Sequence, residues 1–261
     1  MNARHATLLL LLLGATPGPL RARLNTVEPW APGFDTNLPI RRWNHDVNVR
    51  VGRGARGTDL TELSYALSLP AGDNWEMGGQ WGYTSLDGQS AQSDSGINDL
   101  TLAAKYRWPA TAVPKPAAAV AEFGLSLPTG DGDKGLGAGG FGFLAGGGFS
   151  YPVASITGYA RGEIGVYTEG SGTRRGRTLS FTVGGERRID AEWTATMDLR
   201  LVDHGRDKIN GVRSLDKSSE AYLVPGGFWS PPNAPLALQG ALLLGLTRDA
   251  YDFGLLVGAR F

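Results

Sequence analysis

The sequence predicts an all-β fold, a single antiparallel transmembrane β-barrel of about 12 strands. Three observations predict it. From Asp46 onward the chain is a series of period-two segments separated by turn-forming residues. One face of these segments is apolar and aromatic, while the other mixes glycine with charges of both signs. No stretch after the N-terminus is long and apolar enough for a transmembrane helix, which needs about 20 residues. A membrane span must then be built from strands, because only helices and closed barrels satisfy every backbone group in lipid.

The elements follow in order. Residues 1–22 read as a signal peptide. Arg4 and His5 form a polar head, Thr7 to Ala15 an apolar run, and Gly14, Pro17 and Pro19 end it, with Ala15 or Ala22 at the cleavage site. Residues 23–45, rich in Pro and Arg without a clean period, read as a periplasmic N-terminal tail or short plug. Residues 46–261 form the barrel. Its segments are 46–53, 59–69, 75–84, 97–108, 118–127, 140–151, 155–167, 177–187, 193–203, 218–229, 236–247 and 251–261. Segment 218–229 is the least regular, because Pro225 removes a ladder donor.

The alternation is clearest in 193–203. Trp193, Ala195, Met197, Leu199 and Leu201 share one face, and Thr194, Thr196, Asp198 and Arg200 the other. In 97–108, Leu100, Leu102, Ala104, Tyr106 and Trp108 oppose Asp99, Thr101, Lys105 and Arg107. A helix would scatter these charges over every face. Gly140, Gly142, Gly146 and Gly148 line one face opposite Phe141, Phe143, Phe149 and Tyr151, which leaves room along one inner wall. Aromatics recur at strand ends on the apolar face (Trp75, Tyr83, Tyr106, Trp108, Tyr151, Trp193 and Tyr251), as interfacial girdles would. The last segment places Tyr251, Phe253, Leu255, Val257, Ala259 and Phe261 on one face. Phe261 is expected to be the assembly signal read by the outer-membrane assembly machinery.

Composition excludes several functions. The chain has 261 residues, 39 glycines and no cysteine, so a disulfide scaffold and a thiolate metal site are ruled out. Twenty-five basic residues balance 25 acidic ones, and nothing implies a nucleic-acid partner. Gly135, Gly137 and Gly140 spell G-x-G-x-x-G, but without a βαβ context they predict no nucleotide site. Asp131 and Asp133 lack the ligand set of a calcium loop. His45 and His204 remain after the signal; His204 reads as a solvated loop residue, and no serine partner can be named. The sequence thus suggests no catalytic residue, no metal and no cofactor.

The polar face carries the candidate lumen-lining charges. They are Arg50, Glu62, Glu76, Asp99, Lys105, Arg107, Glu122, Arg161, Glu163, Glu186, Asp198, Arg200, Asp252 and Arg260, with Asp46 beside them. The interleaved signs read as nearly cancelling, which predicts weak ion selectivity. Two readings stay open: a cross-barrel salt-bridge lattice that plugs the lumen, or a charged wall along a solute path.

Residues Asn98 to Tyr106 (N-D-L-T-L-A-A-K-Y) and Phe123 to Asp131 (F-G-L-S-L-P-T-G-D), with the Gly-rich stretch that follows, carry a family resemblance. The sequence resembles the outer-membrane transporter family named for the meta-pathway of phenol degradation, itself distantly like the fatty-acid and aromatic-hydrocarbon channels. The resemblance implies a barrel in the bacterial outer membrane and passive uptake of small organic solutes, hydrophobic or aromatic ones included. It transfers no catalytic or ligand-binding residue. The expected partners are the lipid bilayer, the assembly machinery and the solutes. The alternatives are an outer-membrane barrel enzyme acting on lipid and a closed barrel with partner-binding extracellular loops.

Overall fold

The computed structural model describes residues 44–54, 58–88, 91–108, 117–131, 136–170, 173–209, 212–213, 217–231 and 236–260. The expected signal peptide, the tail up to residue 43 and Phe261 lie outside these residues. The strands are β1 (Asn44–Gly54), β2 (Thr58–Pro70), β3 (Trp75–Gly88), β4 (Ala91–Ile97), β5 (Leu100–Arg107), β6 (Ala118–Leu127), β7 (Gly142–Val153) and β8 (Ile156–Tyr167). They continue as β9 (Thr173–Arg174), β10 (Thr178–Arg188), β11 (Trp193–His204), β12 (Lys208–Ile209), β13 (Val212–Arg213), β14 (Ser218–Trp229), β15 (Ala237–Gly245) and β16 (Tyr251–Arg260).

Every main pairing is antiparallel, and the sheet closes on itself. From β1 the ring runs through β2, β3, β5, β6, β7, β8, β10, β11, β14, β15 and β16, which pairs back to β1. β4 and β5 together form one stave, since both pair with β3. The barrel therefore has 12 staves, as the alternation predicts. Closure of the ring leaves its 12 staves without a free edge along their length in the barrel wall, the requirement for a sheet in lipid.

The period-two pattern decides what faces out. Met77, Trp81, Phe123, Phe143, Ile164, Phe181, Met197, Leu242 and Leu255 are all exposed on the outer wall. So large an apolar belt is stable only against lipid. Aromatic pairs cluster at the end where β1 begins and β16 finishes: Trp75 and Tyr106 have ring centroids 5.0 Å apart, Tyr106 and Trp108 5.3 Å, and Trp193 and Trp229 6.4 Å. These amphipathic rings suit the membrane interface. The turn before Trp193 is tight, with Asp190 Oδ1 accepting the N–H groups of Glu192 and Trp193 at 2.8 Å each.

Three local departures have physical causes. The ladder between β14 and β15 is interrupted from Leu223↔Leu244 to Gly226↔Ala241, flanking Pro225, which has no N–H to donate. The ladder from β14 to β11 continues through Met197↔Pro225, so Pro225 lies inside a strand after all. The stretch 86–96, read as a loop, instead extends a hairpin in which β4 pairs with β3. Its sequence A-Q-S-D-S-G-I lacks the apolar alternation that marks the other staves. The third departure is a β-bulge. Arg53 pairs with Phe253 but Gly54 with Tyr251, so Asp252 is the extra residue. Alternation placed Asp252 inside and Tyr251 on the lipid face. Both are corrected: Asp252 is exposed, and Tyr251 is buried in the interior at 4% exposure.

Candidate functional site: the barrel interior and its mouth

The inward face divides into two walls of different chemistry. On β3 to β8, toward the end where β1 begins, charges form a chain of pairs. Lys105 Nζ lies 3.7 Å from Glu76 Oε2, Arg161 Nη2 is 2.6 Å from Glu122 Oε2, and it is 3.5 Å from Glu163 Oε2. The register explains the meeting: Glu76 faces Lys105 across β3 and β5, and Lys105 faces Glu122 across β5 and β6. At the seam between first and last strands, Arg260 Nε donates to Asp46 Oδ1 at 2.7 Å and Nη2 to Oδ2 at 3.3 Å. Glu122 Oε1 and Gln80 Oε1 are buried without a hydrogen-bond partner in the protein, so protein groups satisfy this wall only in part.

The opposite wall, toward the loop end, is apolar and aromatic. Leu60, Tyr222, Val224, Ala241, Leu243, Ala250 and Tyr251 form one buried cluster, with Leu86 and Leu256 against it. In the ring of 12 staves β15 lies six places from β6, so this cluster faces the ion-paired wall. A short polar network borders it: Tyr222 Oη donates to Glu220 Oε2 at 2.8 Å, His204 Nε2 lies 3.5 Å from Glu220 Oε1, and Arg50 Nη2 is 3.5 Å from Glu62 Oε2. His204 is thus not the solvated loop residue that its neighbours suggest. It ends β11, points inward, and has Ser218 as its cross-strand partner. His45 sits on the outer wall with Nδ1 2.6 Å from the Tyr65 hydroxyl.

The remaining expected lumen positions sort as follows. Glu62, Glu76, Lys105, Glu122, Glu163 and Asp198 are buried inside, and Arg50, Arg107, Arg161, Glu186, Arg200 and Arg260 are half-buried there. Asp198 accepts the Tyr159 hydroxyl. Asp99 is buried at the break between β4 and β5, where its carboxylate accepts Gly130 N–H at 2.8 Å and Ala138 N–H at 2.7 Å. It pins the β6–β7 loop, whose Leu136 is fully buried against Leu86. Gly137 of the G-x-G-x-x-G stretch has a packing reason: a Cβ there would stand 2.6 Å from Asp99 Oδ1.

Two expectations about the interior change. The inward acidic residues are Asp46, Glu62, Glu76, Asp99, Glu122, Glu163, Glu186, Asp198 and Glu220, against Arg50, Lys105, Arg107, Arg161, Arg200 and Arg260. Nine acidic residues stand against six basic ones, the same ratio that the residues named from the sequence already have, so the expected near-cancellation fails on the count itself. Nor do the glycines all leave open space. Gly142 pairs with Tyr167, whose ring would lie 2.6 Å from a Cβ there, and Gly184 pairs with Tyr159, whose Cζ would lie 2.9 Å away. Each tyrosine lies across the glycine opposite it. Sequence reasoning missed Tyr222, Val224 and Leu243, because a strand apolar on both faces gives no alternation to read, and Tyr251, because the bulge at Asp252 reverses its phase.

At the loop end a cavity of about 590 Å³ is lined by Val166, Tyr167, Arg174, Arg175, Gly176, Arg177, Gly205, Arg206 and Lys217. No group of three or more metal-ligating side chains exists among the described residues.

Comparison with known proteins agrees with this architecture. An outer membrane channel from Pseudomonas putida F1 shares 17% identity, covers 88% of this chain and 98% of its own, and superposes with a TM-score of 0.70. The KdgM porin shares 8% identity over 84% of this chain and 98% of its own, with a TM-score of 0.54. The same porin in complex with disordered oligogalacturonate gives 9%, 83% and 98%, with a TM-score of 0.51. No curated protein matches the chain. These likenesses are of fold; with the closed ring and the lipid-facing belt, they make this a barrel of the bacterial outer membrane. A family model described as "Putative MetA-pathway of phenol degradation" matches residues 46–261, the entire barrel, and the chain belongs to that family.

Proposed function

We propose that this barrel is a passive channel for small organic solutes, hydrophobic and aromatic ones included. The observation that carries the reading is the two-sided interior. An apolar, aromatic wall around Leu243, Tyr222 and Tyr251 faces a hydrophilic wall around Glu76, Lys105, Glu122 and Arg161. A small molecule with a ring and a hydroxyl presents the same two chemistries. The unpartnered oxygens of Glu122 and Gln80 favour a hydrated path over a dry, fully satisfied lattice. The similarity to an outer membrane channel and a porin supports the reading at the level of fold.

The test is uptake of small phenols and sugars into proteoliposomes. Phenol entry above that of empty liposomes is expected, with sugars slower. Equal rates with and without protein would exclude the channel. One observation favours a second reading, a barrel closed at its loop end. The β6–β7 loop folds inward, with Leu136 fully buried and Asp99 holding its backbone. Flux that appears only after this loop is cut or shortened would establish that reading instead.

A further inference from the structure

We propose that the cavity at the loop end is an oxyanion site that takes a phosphate group. Its wall carries Arg174, Arg175, Arg177, Arg206 and Lys217, and among the described residues none that lines it is acidic. Lys217 pairs with Asp203, so the four arginines give the wall of this cavity of about 590 Å³ its positive character, which an entering anion would offset. Two carboxylates border the cavity and hold parts of its wall. Asp207 Oδ1 accepts Gly176 N–H at 2.8 Å, and Asp203 Oδ1 lies 3.0 Å from Lys217 Nζ and takes the Ser219 hydroxyl at 2.9 Å.

The site is built rather than a chance gathering of surface side chains. Arg175 is buried at 8% exposure, and its guanidinium carbon lies 5.6 Å from the centre of the Tyr167 ring. Its Nη2 also reaches Gly137 O at 3.5 Å, which ties the cavity to the pinned β6–β7 loop. Arg174 Nε donates to Tyr167 O at 3.2 Å. The backbone beneath is fixed twice. Gly205 N–H donates to Arg177 O at 2.7 Å, and Lys208 and Ile209 of β12 pair with Arg174 and Thr173 of β9. The loop after β8 and the loop after β11 are thus locked together, each contributing cations to one cavity.

The chemistry selects the ligand class. Planar guanidinium groups bind phosphate oxygens in pairs, and several cations match a group that carries close to two charges. The position allows two sources of the same group. Tyr167 belongs to the inner face and Val166 to the outer, lipid-facing wall, so the cavity straddles the rim. A phosphorylated lipid headgroup in the outer leaflet and a free phosphate or phosphorylated solute at the mouth would each present it.

The experiment uses the full barrel and the double variant Arg177→Gln/Arg206→Gln. Both side chains are exposed, and neither is used above to hold the fold. Heat-modified gel mobility verifies that the variant is folded. Inorganic phosphate is titrated by calorimetry into protein in neutral detergent at low salt. Vesicles of zwitterionic lipid, with or without a few per cent of a lipid phosphate monoester, form the second arm. Saturable phosphate binding, weakened about tenfold or more in the variant, is expected. Preferential binding to the phosphate-bearing vesicles, competed by free phosphate, identifies the lipid source; binding of free phosphate alone identifies the solute source. No saturable binding of either probe by the native barrel overturns the proposal. So does equal binding by native and variant proteins. The measurement involves no solute flux, so its outcome is independent of the channel reading.

Discussion

The two inner walls are built on the same period-two backbone and are held by opposite means. The β3–β8 wall keeps charges inside and pairs them across neighbouring strands, as Lys105 with Glu76 and Arg161 with Glu122 and Glu163. The β14–β16 wall, with Leu60 from β2, packs apolar and aromatic side chains around Leu243 and Tyr251. The contrast teaches that a barrel in lipid does not need a polar interior throughout. Its exterior is fixed by the bilayer, and its interior is free to be a salt lattice on one side and an ordinary core on the other.

The largest effect is expected where one cation serves two acids. Arg161→Ala leaves Glu122 and Glu163 buried without their guanidinium and should cost about 3–5 kcal/mol. Urea unfolding in vesicles, followed by tryptophan fluorescence, measures it. Replacing all three residues with apolar ones of similar size should restore most of the loss. If the single change costs no more than a surface pair, the wall is wetter than its pairing implies. On the apolar wall, Leu243→Ala removes packing from a site 5% exposed and should cost about 2–4 kcal/mol in the same assay. A loss below roughly 1 kcal/mol would mean that this wall is not packed as a core.

Asp99 stands where wall becomes loop. Asp99→Ala orphans the N–H groups of Gly130 and Ala138 and should cost about 1–3 kcal/mol locally. The loop 128–141 should then exchange its amide hydrogens faster while the staves stay protected. Unchanged exchange would remove Asp99 as the loop's anchor. The smallest effect belongs to the exposed pair Arg53–Asp59, 3.7 Å apart with side chains 74% and 64% exposed. Arg53→Ala should change stability by about 0.5 kcal/mol or less, and a larger change would show that this pair is not screened by solvent.

Much of this was legible in the sequence, and the limits are physical. The staves and most inward charges follow from alternation because lipid on one side and paired charges on the other make the faces dissimilar. Where both faces are apolar, as in Ala241-Leu242-Leu243-Leu244, period two carries no information, and the apolar wall stayed hidden. Strand β4 was hidden because its sequence, A-Q-S-D-S-G-I, carries no apolar alternation to read. His204 and the basic cavity depend on strand ends and on two loops meeting. Neither event leaves a periodic trace.

The bulge at Asp252 has one more consequence, for how the chain tolerates changes of length. A one-residue deletion in a strand ordinarily exchanges inside for outside from that point on. Around Asp252 the strand already behaves as though that residue were absent, since Gly54 and Arg53 pair with Tyr251 and Phe253 in turn. Removing Asp252 would leave Tyr251 inside, Phe253 in the lipid and the β1–β16 ladder continuous. In the last strand, Asp252 is the position where a codon could be lost without changing the phase of its neighbours.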